Sequence, residues 1–290
     1  MRLELVTSAS AVPRRRQTVD QETLIIYWLG QAGFLLEGSR CRVLIDPYLS
    51  DSLADKYRGK ELPHIRLVPP PVLPRELEEI DLVFCTHGHT DHLDPGTLPV
   101  LRAGNPGCRF VVPRALGALA LERGLPAASL IEVNAGDRLE PAAGLRFSVL
   151  PAAHEVISRD RNGDHLFLGY LLDFGGITVY HSGDCVPFDG LVEQLRTVRP
   201  DIMLLPINGR DEYRASRGIA GNFTLDEALE LTDAVGAGYL IGHHFGLFDF
   251  NTIDPEAARQ RIRQGSPNWS GKRMPVEMGM EYRFRQIAAV

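Results

Sequence analysis

The chain has 290 residues, a formal net charge of −6 and 44% apolar residues, enough for a sizeable core in one large domain or two small ones. No apolar run approaches the ~20 residues that a membrane span needs. The first 20 residues carry Arg14, Arg15 and Arg16 with no apolar stretch behind them, which speaks against a secretory leader.

Residues 1–20 read as an N-terminal extension, solvated or loosely docked, and residues 21–290 as one domain without a linker. Short runs rich in β-branched and aromatic residues then mark strands at 24–29, 34–36, 42–46, 82–85 and 110–112. The Ala- and Leu-rich stretch 114–123 has a helical pattern that stops at Gly124. Strands follow at 145–150, 167–174 and 177–181, then a helix over 188–199 that ends before Pro200. A strand at 202–205 leads to a helix over 224–235, where Thr224 and Glu227 have capping-box spacing. The last elements are a strand at 239–241, a helix over 255–263 opened by Asp254 and Pro255, and a strand at 281–284. Strand-rich sequence followed by alternating helices and strands predicts stacked sheets covered by helices. The four cysteines, Cys41, Cys85, Cys108 and Cys185, form no C-x-x-C pair and read as reduced thiols of a cytoplasmic protein.

The densest chemistry lies in Thr86-His87-Gly88-His89-Thr90-Asp91-His92-Leu93-Asp94. His87 stands where a buried strand ends, and His89, two residues on in extended chain, can point the same way. Asp91 and His92 fall in the next turn and can face a second ion. A lone histidine is more often a satisfied core residue than a ligand. Three histidines and an aspartate within six residues are a metal site, suited to Zn2+ and open to Mn2+ or Fe2+. Three more ligand-type residues follow strand runs downstream: His154, Asp184 in Ser182-Gly183-Asp184, and His244 in Gly242-His243-His244.

The pattern H-x-H-x-D-H, a later His, an S/G-D and a last His resembles the metallo-β-lactamase superfamily. That resemblance implies an α/β fold, a four-layer αββα sandwich with the site on loops at the sheet edges. It also implies two divalent metal ions per chain: His87, His89 and His154 on the first, Asp91, His92 and His244 on the second, and Asp184 bridging. Within the superfamily, 46–52, 180–184, Arg217-Gly218-Ile219 and the stretch from His244 to Pro255 are most similar to the L-ascorbate-6-phosphate lactonase-like branch. Members of that branch place the ligand His eleven residues before this Pro, so the resemblance implies His244 rather than His243 as the ligand. Two departures stand out: Gly242 replaces a common Pro, and the lactonase lacks a His at the position of His154.

The implied activity is metal-dependent hydrolysis by a hydroxide activated between two ions, with Asp91 and Asp184 as the catalytic carboxylates. No G-x-S-x-G elbow is present. Asp46 reads equally as a turn residue or as the support of a ligand imidazole, and His243 as a packed neighbour or a supporting donor. Asn208, Arg210, Arg217 and Asn222 are the candidates for gripping substrate, because paired guanidinium hydrogen bonds suit phosphate or carboxylate. The expected partner is a small-molecule lactone or ester, with phosphorylation allowed. A phosphodiesterase acting on a phospholipid or nucleotide is the alternative, and a non-catalytic metal-stabilised binding protein is a third reading. Nucleic acid is a disfavoured partner, because an acidic chain does not attract phosphate backbones over its whole surface. A homo-oligomer is compatible with the sequence.

Overall fold

All eight residues of Thr23–Gly30 are buried, which a strand achieves only when both of its faces are covered. The computed structural model describes residues 2–269 and 271–288 and shows what covers them. In chain order the first strands are β1 (Arg2–Ala9), β2 (Thr23–Gly30), β3 (Gly33–Glu37), β4 (Arg42–Ile45), β5 (Leu82–Phe84), β6 (Arg109–Pro113) and β7 (Leu130–Val133). Then come β8 (Arg138–Ala142), β9 (Leu145–Pro151), β10 (Ala153–His154), β11 (Val156–Ile157), β12 (Leu168–Asp173), β13 (Thr178–His181), β14 (Ile202–Pro206), β15 (Tyr239–His243), β16 (Arg273–Pro275) and β17 (Met280–Ile287). The helices are α1 (Ser52–Lys56), α2 (Leu98–Gly104), α3 (Gly117–Glu122), α4 (Leu191–Val198), α5 (Glu212–Ala215), α6 (Leu225–Val235) and α7 (Pro255–Arg263).

Eight strands form one sheet in the order β1-β17-β2-β3-β4-β5-β6-β7, and seven form a second in the order β16-β15-β14-β13-β12-β9-β8. Along β2, Leu24, Ile26 and Trp28 join the core between the sheets, where they meet Phe147, Val149 and Tyr170. The alternate residues Ile25, Tyr27 and Leu29 join a second core with Leu98, Leu101 and Ala120 from α2 and α3. The period of two in a strand thus explains an unbroken apolar run. On the far side of the second sheet, α6 packs on β14 and β15. The αββα sandwich expected from the sequence is the architecture found. Among the described residues no helix is long and apolar enough to cross a membrane.

Local chemistry explains the helix ends. Thr224 Oγ1 accepts from the Glu227 amide while Glu227 accepts from the Thr224 amide at 2.9 Å, the reciprocal cap expected for α6. Asp254 caps α7 through the Glu256 amide at 2.9 Å. The helix expected over 114–123 is split instead, with a 3-10 turn at Arg114–Leu116 before α3.

The N-terminus departs most from expectation. Residues 2–9 are β1, paired antiparallel with β17 over its whole length. The segment after it is clasped by Arg42, which donates to the carbonyls of Pro13 and Arg14 (2.9 Å for Arg14) from a fully buried position. A loose extension was the wrong reading because its partners lie in distant sequence.

Candidate metal centre

β4 and β5 are parallel neighbours, as are β13, β14 and β15, so their carboxyl ends lie along one edge of each sheet. Loops beyond carboxyl ends are the usual place for ligands in such sheets. Asp46 follows β4, His87 stands three residues after the end of β5, Asp184 follows β13, and His244 follows β15. The two edges are tied together at the site. The Leu168 amide donates to the Thr86 carbonyl at 2.9 Å, and the Tyr170 hydroxyl to the Cys85 carbonyl at 2.8 Å. Gly183 sits at φ +62°, and a Cβ there would lie 2.8 Å from Thr86 Cβ, so only glycine lets Asp184 approach the His87 loop. Gly88 is not among the positive-φ glycines, and it packs closely on its neighbours. A side chain there would press on Leu119 and Leu116 of the helix layer.

His87, His89, His154 and Asp184 each offer one ligand atom, all within 4.8 Å of one another, and Asp91, His92 and His244 form a second such group. Asp184 faces both. Its Oδ1 lies 3.1 Å from His244 Nε2 and 3.4 Å from His92 Nε2, and its Oδ2 lies 3.8 Å from His154 Nε2. Within the site, His87 Nε2, His92 Nε2 and Asp184 Oδ1 are buried and lack any hydrogen-bond partner. Leaving such atoms unmet is costly, and divalent cations seated in the two groups would meet them, so the residues fit a metal.

The layer behind these side chains fixes which nitrogen points inward. Asp46, itself fully buried, lies 2.7 Å from His92 Nδ1 and accepts from the Thr86 amide (2.8 Å) and hydroxyl (2.7 Å). With the Thr86 proton spent on Asp46, its oxygen is free to accept from His87 Nδ1 at 3.0 Å. His154 Nδ1 donates to the Gly221 carbonyl at 3.1 Å. Each arrangement leaves the Nε2 lone pair of a ligand histidine facing the site. Burial, reinforced by neighbouring imidazoles, holds His87 well below its ordinary pKa, and burial pushes His89 down to about 4. Burial also opposes charge on His92, but the carboxylates of Asp184, Asp46 and Asp91 outweigh it and raise that group. Asp184 stays well below the carboxylate range despite burial, because His244 and His92 adjoin it. Asp46, His244 and Gln31 all have positive φ (43°, 68° and 50°), so backbone strain is concentrated here.

Of the two readings of Asp46, the geometry favours the support of a ligand. Asp46→Ala is expected to weaken divalent-cation affinity by about 10- to 100-fold, read by competition with a chromophoric chelator. Affinity equal to the parent protein would remove that role. His243 takes the packed alternative. Its ring stacks on His181 at 4.9 Å, meets Phe34 edge-on at 5.2 Å, and neither nitrogen has a hydrogen-bond partner.

A cleft of about 500 Å³ opens onto His89, Asp91, His154 and Asp184. Of the four substrate candidates Arg217 lines it, with its guanidinium 2.7 Å from Glu61 and stacked over Tyr213. The other three candidates are engaged elsewhere. Arg210 forks onto Glu227 at 2.7 and 2.6 Å beside the α6 cap. Asn222 accepts from the Cys185 amide at 3.0 Å, and Asn208 donates to Asn251 at 2.7 Å. These polar groups organise the loop rather than face the cleft.

Sequence reasoning missed Gln31. It is buried at the cleft floor, donates to Asp91 Oδ2 at 3.1 Å and lies 3.3 Å from His244 Nε2. Its one signal is a polar residue in the tight Gly30-Gln31-Ala32-Gly33 turn between two apolar strands. Lys56, Lys60 and His64 also line the cleft and were overlooked.

A family model described as Beta-lactamase superfamily domain matches residues 41–245. An Archaeoglobus fulgidus protein named UPF0173 metal-dependent hydrolase is 31% identical over 243 residues, spanning 82% of this chain and 90% of that one. Igni18, described as a novel metallo hydrolase from Ignicoccus hospitalis, superposes with a TM-score of 0.65 at 20% identity, covering 92% of this chain and 100% of that one. Isothiocyanate hydrolase from Delia radicum gut bacteria does so with a TM-score of 0.67 at 20% identity, covering 89% and 98%. At such identities the structural likeness is one of fold.

Proposed function

Since this chain belongs to the β-lactamase superfamily and to its metal-dependent hydrolases, we propose that it opens a lactone or similar ester of a small anionic metabolite in a lactonase-like, cytoplasmic reaction. His87, His89 and His154 would hold one divalent cation, Asp91, His92 and His244 a second, and Asp184 would serve both groups. Zn2+ suits this donor set best, with Mn2+ or Fe2+ as substitutes. The observation that supports this reading is the shared carboxylate, with Oδ1 3.1 Å from His244 in one group and Oδ2 3.8 Å from His154 in the other.

When bound, the metal pair supplies an acidified water and an electrophilic grip on the substrate oxygen. The protein does the rest. Asp91 lines the cleft, where it would take the proton of the attacking water and return it to the departing oxygen as the ester C–O bond breaks, while Gln31 fixes its carboxylate through the 3.1 Å hydrogen bond. His87, His92 and His154 keep their inward lone pairs through the Thr86, Asp46 and Gly221 contacts. The cationic side chains at the cleft wall receive the anionic group of the substrate.

A parallel screen of the Zn2+-loaded protein tests the reading with sugar lactones, phosphodiesters and cephalosporin-type lactams. Lactone turnover that disappears in His89→Ala is the expected result. Turnover of bis-aryl phosphate alone would transfer the assignment to a phosphodiesterase. Full metal loading with no turnover of any class would leave a binding protein.

A further inference from the structure

The chain contains three lysines, Lys56, Lys60 and Lys272, and two of them line the cleft above the ligand residues. Neither Lys56 nor Lys60 has a carboxylate partner among the described residues. Arg217, the third cation of the cleft, is committed to Glu61 at 2.7 Å. An acidic chain that otherwise relies on arginine thus keeps two ammonium groups without a carboxylate partner, among the described residues, at one opening. Lys56 occupies the junction of two surfaces. Its Nζ lies 3.4 Å from Thr90 Oγ1, beside Asp91, and 5.2 Å from the Tyr57 ring centroid.

That ring belongs to a built wall. Tyr57 stacks on His64 at 4.2 Å with 21° between planes, and His64 meets Phe248 and Phe250 edge-on at 5.3 and 4.8 Å. Tyr57, His64 and Phe248 line the cleft, with Leu53 behind. His64 is fixed by Nδ1 donating to the Leu62 carbonyl at 2.7 Å, and burial lowers its pKa, so it offers a neutral ring. Its backbone sits at φ +53°, a conformation a bulky residue adopts only when its surroundings hold it there. A rigid aromatic face receives flat, apolar groups at little entropic cost.

We propose that the cleft selects substrates in which a flat apolar body is joined to an anionic group, with the Tyr57–His64 wall receiving the body and Lys56 with Lys60 receiving the charge. This rests on the hydrolase reading for its chemistry but not for its binding. The cleft also carries Glu61, Asp91 and Asp184, but Glu61 pairs with Arg217 and both aspartates belong to the ligand groups, which leaves the two lysines as the charges free to meet an anion.

Titration calorimetry on the full chain, chelated and again Zn2+-loaded, separates the contributions with three probes: phenylphosphonate, inorganic phosphate and benzyl alcohol. Phenylphosphonate is expected to bind about tenfold tighter than phosphate, and benzyl alcohol weakest. The double variant Lys56→Gln/Lys60→Gln, whose side chains are exposed, should keep its melting temperature and lose about tenfold in affinity for both anions. Tyr57→Ala should abolish the advantage of phenylphosphonate over phosphate and leave phosphate binding in place. Equal affinities for the two anions in the parent protein, or parental affinities in the double lysine variant, would overturn the proposal. Selective phenylphosphonate binding by a chain that hydrolyses no lactone, ester or phosphodiester would instead leave the proposal standing and end the hydrolase-substrate assignment.

Discussion

Asp184→Asn is expected to lower kcat/KM on any accepted substrate by on the order of 10³-fold, a loss near 4 kcal/mol in transition-state stabilisation. The change preserves shape and removes one charge. In the parent protein the carboxylate sits between two ligand groups, 3.1 Å from His244 and 3.4 Å from His92 through Oδ1 and 3.8 Å from His154 through Oδ2. An amide has one acceptor, so it can serve one group while turning its NH2 toward the other. Metal content measured by elemental analysis should therefore fall to one ion per chain or fewer, and activity should fall with it. Circular dichroism and the melting curve should still report a folded protein, because the sandwich core does not depend on this side chain. Full metal loading with activity within tenfold of the parent protein would defeat the bridging assignment.

How much of this was legible in the sequence depends on where a residue gets its partners. The central strands were readable because residues covered on two faces must be apolar at every position, as in β2. The strands that escaped sequence reading are mainly sheet edges: β1 and β7 in the first sheet, β8 and β16 in the second. An edge strand has one paired side and tolerates charge and proline. β8, with its sequence Arg-Leu-Glu-Pro-Ala, therefore reads as loop. The ligand-type residues stood out by a similar logic, a polar side chain placed where an apolar run stops. Gln31 obeys that rule too, but a single glutamine in a turn carries no metal signature. The substrate candidates show the opposite error. Arg210, Asn208 and Asn222 were chosen as polar residues on a loop after a strand, and that composition equally describes a loop that satisfies its own backbone. Lys56 and Lys60 lie more than 150 residues before Arg217, so their meeting at one cleft is a property of the fold alone.

The same dependence on distant partners makes Arg42 the residue whose loss should cost the fold most. Its side chain and that of Glu37 are fully buried, with Nε 3.0 Å from Glu37 Oε1. Burial pushes the Glu37 carboxyl up and the Arg42 guanidinium down, the directions expected when two charges leave water and recover only part of the loss from each other. The guanidinium also donates to the carbonyls of Pro13, Arg14 and Glu78, and the Gln17 amide donates to Glu37 at 3.2 Å. The buried pair thus holds residues 13, 14 and 17 against the first sheet. Arg42→Met removes both functions and strands a buried carboxylate, so about 3–5 kcal/mol of stability should disappear in urea unfolding. Glu37→Gln keeps an acceptor for the Gln17 amide and leaves the three carbonyl contacts intact, so about 1–3 kcal/mol is expected. Trypsin gives an independent reading, because the bonds after Arg14, Arg15 and Arg16 become accessible once the clasp is gone. Cleavage there should accelerate in Arg42→Met and much less in Glu37→Gln. If both variants lost the same stability and were cut at the same rate, the ion pair would account for the whole effect and the carbonyl clasp for none.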